Sequence, residues 1–83
     1  MKIDVIKSIL YDAKECGCLA TITLANGQVS HVNFGKQIKT FTTTDDVILN
    51  EERHLVIILG TDGSRDYIDS DSIIRIFSKE GIR

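Results

Sequence analysis

Between Ile3 and Ala13 the apolar residues fall three and four positions apart. Ile3, Ile6, Leu10 and Ala13 make one stripe and Ile9 widens it, while Lys7, Asp12, Lys14 and Glu15 lie mostly off it. That spacing predicts a helix over residues 3–15, and Gly17 stands where a left-handed residue stops a helix. So short a helix is marginal alone in water, so its stripe needs a partner surface. From Leu19 the period drops to two: Ala20, Ile22 and Leu24 alternate with Thr21 and Thr23. Asn26-Gly27 follows, a pair that accepts positive φ at both positions and predicts a tight hairpin turn. The return strand, Gln28 to Phe34, carries Ser30, Val32 and Phe34 on one face.

Residues 35–52 are less regular. Parity supports a short strand from Gln37 to Thr43, and Asp45-Asp46 mark a turn or a helix start. Val47-Ile48-Leu49 reads as a strand tip or one helical turn, closed by Asn50-Glu51-Glu52. Leu55 to Leu59 is an unbroken, mostly β-branched run and predicts a central strand covered on both faces. Asp62-Gly63 predicts a second hairpin turn, with Ser64 to Ile68 returning. The polar Asp69-Ser70-Asp71-Ser72 suits a single 3₁₀ turn before a last strand, Ile73 to Phe77, and a frayed tail over 78–83.

The chain has 83 residues, enough for one domain, and thirteen isoleucines and five valines against six leucines favour a β-dominated core. A few short strands cannot make a stable open sheet with an uncovered face, whereas rolling them up removes edges and buries both sides. The expected fold is mostly β with one N-terminal α-helix (α+β): a single small five- to six-stranded barrel over 19–77, plugged by the helix.

Certain motifs carry a resemblance. Ile22-Thr23-Leu24-Ala25-Asn26-Gly27 resembles the opening of the first Sm motif. Asp46-Val47-Ile48-Leu49-Asn50 resembles the later Asp-x-x-Met-Asn piece, whose asparagine helps hold an RNA base in that family. The interval from Gly27 to Asp46 is longer than in Sm proteins, and Arg65 precedes Asp66 where the second Sm motif has Arg-Gly. Leu24-Ala25-Asn26-Gly27, Gly63-Ser64-Arg65 and Ile73 with Ile76-Phe77 also resemble, over about two-thirds of the chain, the bacterial Rho-binding antiterminators. Those are small acidic barrels with an N-terminal helix that bind the termination factor Rho. The resemblance implies an SH3-like or Sm-like barrel and a protein partner from the transcription or RNA machinery of a bacterial or phage-type cell.

Charge ranks the functional classes. A formal net charge of -2 disfavours coating nucleic acid by charge alone. Residues 1–42 hold five lysines against three acids, whereas residues 43–83 hold five basic residues against nine acids. The acidic half suits electrostatic fit to a protein partner, with Glu51, Glu52, Asp62, Asp66 and Asp69 as contacts and Arg65 orienting them. The alternative is direct RNA or single-stranded DNA binding by Lys36, Lys39, Phe41, Asn50, Arg53 and Arg65, mixing phosphate contacts with base stacking. Self-association into a homo-oligomer, through the helix or an open strand edge, is a further partner class.

A small enzyme or metal protein ranks last. Cys16, Cys18, His31 and His54 lack the spacing of a zinc site, and Asp62, Asp66, Asp69 and Asp71 lack the order of an EF-hand. No nucleophile elbow is present, and Asp45, Asp46, Glu51 and Glu52 form an acid/base pair only in a cleft that separates their pKa values. The expectation is therefore no enzyme, no cofactor and no metal. The longest apolar run is Leu55 to Leu59, and Lys2, Asp4 and Lys7 interrupt the first residues, so neither a membrane span nor a signal peptide is expected. Two thiols spaced C-x-C fit a reducing cytoplasm.

Overall fold

A computed structural model describes residues 1–35 and 45–80. The order is α1 (Ile3–Cys16), β1 (Cys18–Leu24), β2 (Val29–Asn33), β3 (Asp46–Asn50), β4 (Leu55–Leu59), β5 (Arg65–Asp69), a 3₁₀ turn (Ser70–Ser72) and β6 (Ile73–Glu80). The strands form two antiparallel three-stranded sheets, ordered β2-β1-β6 and β3-β4-β5. The fold is thus α+β, with one helix and six strands among the described residues.

The expected closed barrel is corrected on this point: the ladders stop short of a cylinder. Beside the contacts of β2 with β3, Asp45 links the two sheets: its N–H donates to Asn33 O at 2.8 Å while its Oδ2 accepts the Asn33 N–H at 2.9 Å. No ladder joins β2 to β3; β3 belongs to the other sheet, where the buried Val47 lies opposite Ile58 of β4. The long pairing that holds the first sheet joins β1 to β6, with Cys18 opposite Glu80.

The helix forms as the 3.6-residue period dictates. Ile6, Leu10 and Ala13 are buried, and Gly17 ends the helix with φ 70°, its N–H directed to Ala13 O and Lys14 O. The helix packs against β1, β3, β6 and the 3₁₀ turn, and so covers the core from both sheets. That core is Ile6, Leu10, Ala20, Ile22, Val32, Phe34, Val47, Val56, Ile58, Ile68 and Ile73 with Ala13. Fully burying one such aliphatic side chain contributes about 1.5–3 kcal/mol. Lys7 Nζ reaches Glu51 Oε1 and Lys14 Nζ reaches Asp46 Oδ1, each at 2.7 Å, so the helix is tied to both ends of β3.

Both predicted tight turns are present with a different geometry. Leu24 N–H donates to Gln28 O and Gly27 N–H to Leu24 O, which makes a three-residue loop, Ala25 to Gly27. Only Gly27 has positive φ, at 89°; Asn26 does not. The second hairpin repeats this construction, with Gly60 N–H on Ser64 O, Gly63 N–H on Gly60 O, and Gly63 at φ 86°. Three-residue loops ending in a left-handed glycine match the right-handed twist of the flanking strands.

Other boundaries move. The run 46–50 is a full strand, so β3 and β4 form a third hairpin through the turn 51–54, where His54 has φ 56°. Strand β6 continues through Glu80, so residues 78–80 are paired with β1 rather than frayed. Cys16 ends the helix and Cys18 opens β1, so the two thiols do not share one strand face, and neither is in a disulfide. The expected strand at 37–43 lies outside the described residues.

Candidate binding surfaces

The inner face of the β3-β4-β5 sheet is set by Val47, Val56, Ile58 and Ile68, all buried. Strand alternation sends the intervening residues outward. Register aligns them into three cross-strand rows: Asp46, Leu59 and Arg65; Ile48, Ile57 and Tyr67; Asn50, Leu55 and Asp69. The middle row is apolar throughout, with Ile48 49% and Tyr67 57% exposed and Ile57 partly buried between them. Leu55 and Leu59, also partly buried, extend it along β4. The expected strand covered on both faces is corrected here: β4 is covered on one face, and the other is the middle of an apolar surface. The patch measures roughly 10 Å across the strands and roughly 13 Å along them, from ordinary strand spacings.

The two flanks of this patch differ electrically. On the β3 flank, Asp46 is paired with Lys14 and Glu51 with Lys7. The Lys14 hydrogen bond, followed by the Val47 N–H, holds the Asp46 carboxyl below its usual 3.8, while partial burial opposes this. The hydrogen bond and charge of Glu51 raise the Lys7 pKa above 10.5. On the β5 flank the outer face carries Arg65 and Asp69, while Asp66 and the hairpin's Asp62 lie toward β2, and the bonds of these three carboxylates are to neutral groups. Asp62 Oδ1 accepts the Ser64 N–H at 2.9 Å, Asp66 Oδ2 accepts the Ser30 hydroxyl at 3.1 Å, and Asp69 Oδ1 accepts the Asp71 N–H at 3.0 Å. Ser64, through its side chain first and its N–H second, lowers the Asp62 pKa.

A second surface lies between β2 and β5. Two depressions of ≈ 370 and ≈ 530 Å³ share Ser30 and Asp66 in their walls. Asp45, Asp62 and Asp66 give the first of them an acidic lining, and each has an oxygen engaged within the chain. No group of three His, Cys, Asp or Glu side chains among the described residues is arranged to hold a metal ion.

The structure separates the residues that the sequence grouped. Of the partner contacts, Asp69 and Arg65 share the outer face at opposite ends of β5, while Asp66 faces Ser30 and Asp62 sits in the hairpin turn. Glu51 is held by Lys7, and Glu52 lies exposed in the β3-β4 turn. Of the nucleic-acid set, Lys36, Lys39 and Phe41 lie outside the described residues. Asn50 Oδ1 accepts the Arg53 N–H at 3.0 Å, so the oxygen of the Sm-like asparagine caps its own turn. Arg65 stands in the row farthest from Asn50, so these two are not brought together. His31 bonds the Thr21 hydroxyl at 3.1 Å, and His54 is a turn residue on another sheet.

Sequence reasoning missed Ile48, Ile57 and Tyr67. Their signal was present: the strand opposite Leu55–Leu59 has apolar residues at both parities, one more than an inner face needs. No helix among the described residues is long and apolar enough to cross a membrane. No known family model, curated protein or solved structure matches this chain.

Proposed function

We propose that this protein is a non-catalytic binding module that engages a protein partner through the outer face of its β3-β4-β5 sheet. The observation that carries the reading is the exposed row Ile48–Ile57–Tyr67. An apolar centre containing a tyrosine, rimmed by charge, has the composition of interface cores. Asp69 on the same face and Glu52 in the adjoining turn supply steering and register toward the partner. The order of helix, hairpins, short turn and returning last strand is read as an opened relative of the SH3-like or Sm-like barrel. A partner from the transcription or RNA machinery rests on the resemblance of the turn motifs to Rho-binding antiterminators.

Capture from a native-host lysate followed by mass spectrometry tests the proposal. Wild-type chain is compared with Ile48→Asp and with Lys at positions 52, 62, 66 and 69. A partner retained by the wild type and lost from both variants supports the reading. A partner held equally by all three overturns it.

A further inference from the structure

The β2-β1-β6 sheet has an outer face of a different kind. Ala20, Ile22 and Val32 are buried in the core, so the alternate positions of β1 and β2 face outward, and register adds their neighbours on β6. The middle row is His31, Thr21 and Phe77, with Arg75 and Lys79 on either side of Phe77 along β6. His31 is exposed and Phe77 is 48% exposed. Thr21 Oγ1 stands 3.1 Å from His31 Nδ1, which holds that ring on this face. The Arg75 guanidinium lies 5.6 Å from the Phe77 ring centre. The remaining outward positions are Leu19, Thr23, Val29 and Asn33, so no carboxylate stands in these rows. Glu80 takes the opposite parity of β6, and Asp45, at the β2 margin, has its Oδ2 on the Asn33 N–H. The ion pairs among the described residues are those of Lys7 and Lys14; Arg75 and Lys79 have none there.

We propose that this face binds single-stranded nucleic acid, with bases stacked on Phe77 and His31 and phosphates held by Arg75 and Lys79. The chain has a formal net charge of -2, yet this sheet face carries two cations and no acid, which favours an anionic occupant here. An acidic peptide would satisfy the cations and leave the rings unused, whereas a single strand uses both. The guanidinium laid over Phe77 adds a second stacking plane to the ring. Bases in a duplex are already stacked on one another, so only an unpaired strand can give them to these rings. The two rings stand on strands two apart, roughly 10 Å, and so take separate bases of one strand. None of the four residues belongs to the nucleic-acid set read from the sequence; the pairing of β1 with both β2 and β6 brings them together. The surface lies on the other sheet from the row Ile48–Ile57–Tyr67, so it stands or falls apart from the protein-binding reading.

The test titrates the full chain, labelled with ¹⁵N, at low salt with four probes: decauridylate, decathymidylate, an abasic deoxyribose-phosphate oligomer of the same length, and oligoglutamate. One or both of the base-bearing strands are expected to move the amides of residues 19–23, 29–33 and 75–79 saturably, and the comparison between them reads the preferred sugar. The abasic oligomer and oligoglutamate are expected to leave those amides in place. Phe77→Leu should weaken binding about tenfold and Phe77→Tyr, which keeps a ring, hardly at all. His31→Ala is the second ring removal, should the change at Phe77 loosen β6. Arg75→Gln and Lys79→Gln should each flatten the slope of log affinity against log salt by about 0.7. Ile48→Asp, on the other sheet, should leave oligonucleotide binding unchanged, so its effect on partner capture is a separate result. No saturable shift with either strand, shifts confined to residues 46–50, 55–59 and 65–69, or unchanged affinity in both Phe77→Leu and His31→Ala overturns the proposal. Equal binding of oligoglutamate overturns it in favour of an acidic peptide, and equal binding of the abasic oligomer removes the stacking on which it rests.

Discussion

Asn26 and Asp62 do the same work in two different hairpins. Each side-chain oxygen accepts the N–H two residues on, Asn26 Oδ1 from Gln28 at 3.0 Å and Asp62 Oδ1 from Ser64 at 2.9 Å. In each loop the next residue is a left-handed glycine, with open space where a Cβ would stand. Replacing Gly27 or Gly63 by alanine therefore meets no steric neighbour and tests the backbone alone. Each is expected to destabilise by about 1 kcal/mol, read as a lower urea midpoint at unchanged slope.

Ser70 provides the opposite sign. Its side chain is fully buried and its Oγ has no hydrogen-bond partner among the described residues, while its N–H is satisfied by His54 O at 2.8 Å. Removing an unsatisfied buried hydroxyl leaves the backbone bond intact. Ser70→Ala is expected to raise stability, by up to about 1 kcal/mol, as a shift of the melting temperature.

Leu10 is fully buried on α1 beneath both sheets. Leu10→Ala leaves a cavity in the core cluster to which the helix and both sheets contribute. A loss of about 2–5 kcal/mol is expected, with retained far-ultraviolet dichroism at low temperature if folding survives.

The Lys14–Asp46 pair predicts a pH dependence. The Asp46 carboxyl is more acidic in the folded chain than its usual 3.8. Such a group adds stability above its unfolded pKa, and that share is lost as pH falls through the lower folded value. Side chains 50% and 51% exposed keep the contribution small and open to salt screening. Urea midpoints should therefore fall less steeply between neutral pH and about pH 2 in Lys14→Met than in the wild type, and the two should converge at high salt.

Much of the local structure was written in residue order. The stripe of Ile6, Leu10 and Ala13, the alternation of Ala20 and Ile22, and the two glycine turns each follow from contacts a few residues apart. The 46–50 strand was harder, because Val47, Ile48 and Leu49 are all apolar and only a partner strand decides which face each takes. Pairings such as Leu19 with Lys79 join the two ends of the chain within one sheet, and no local pattern encodes them or decides whether two sheets close into a cylinder. The grouping of the candidate site residues depends on the same long-range pairing. Aspartates that looked like a free acidic surface mostly serve turns and strand crossings, and only Glu52 and the outward oxygens are left over. The apolar row proposed as the binding face reads in the sequence as ordinary core.

The position of β1 between β2 and β6 also constrains how the protein comes into being. A chain emerging from the ribosome offers β1 its first neighbour within a few residues, but its second only after β6 has been translated. Until then one flank of β1 has no ladder, and α1 rests on an unfinished floor. Nascent chains halted before Ile73 should be protease-sensitive at α1 as well as at β1, and native protection should arrive in one step with the closing segment.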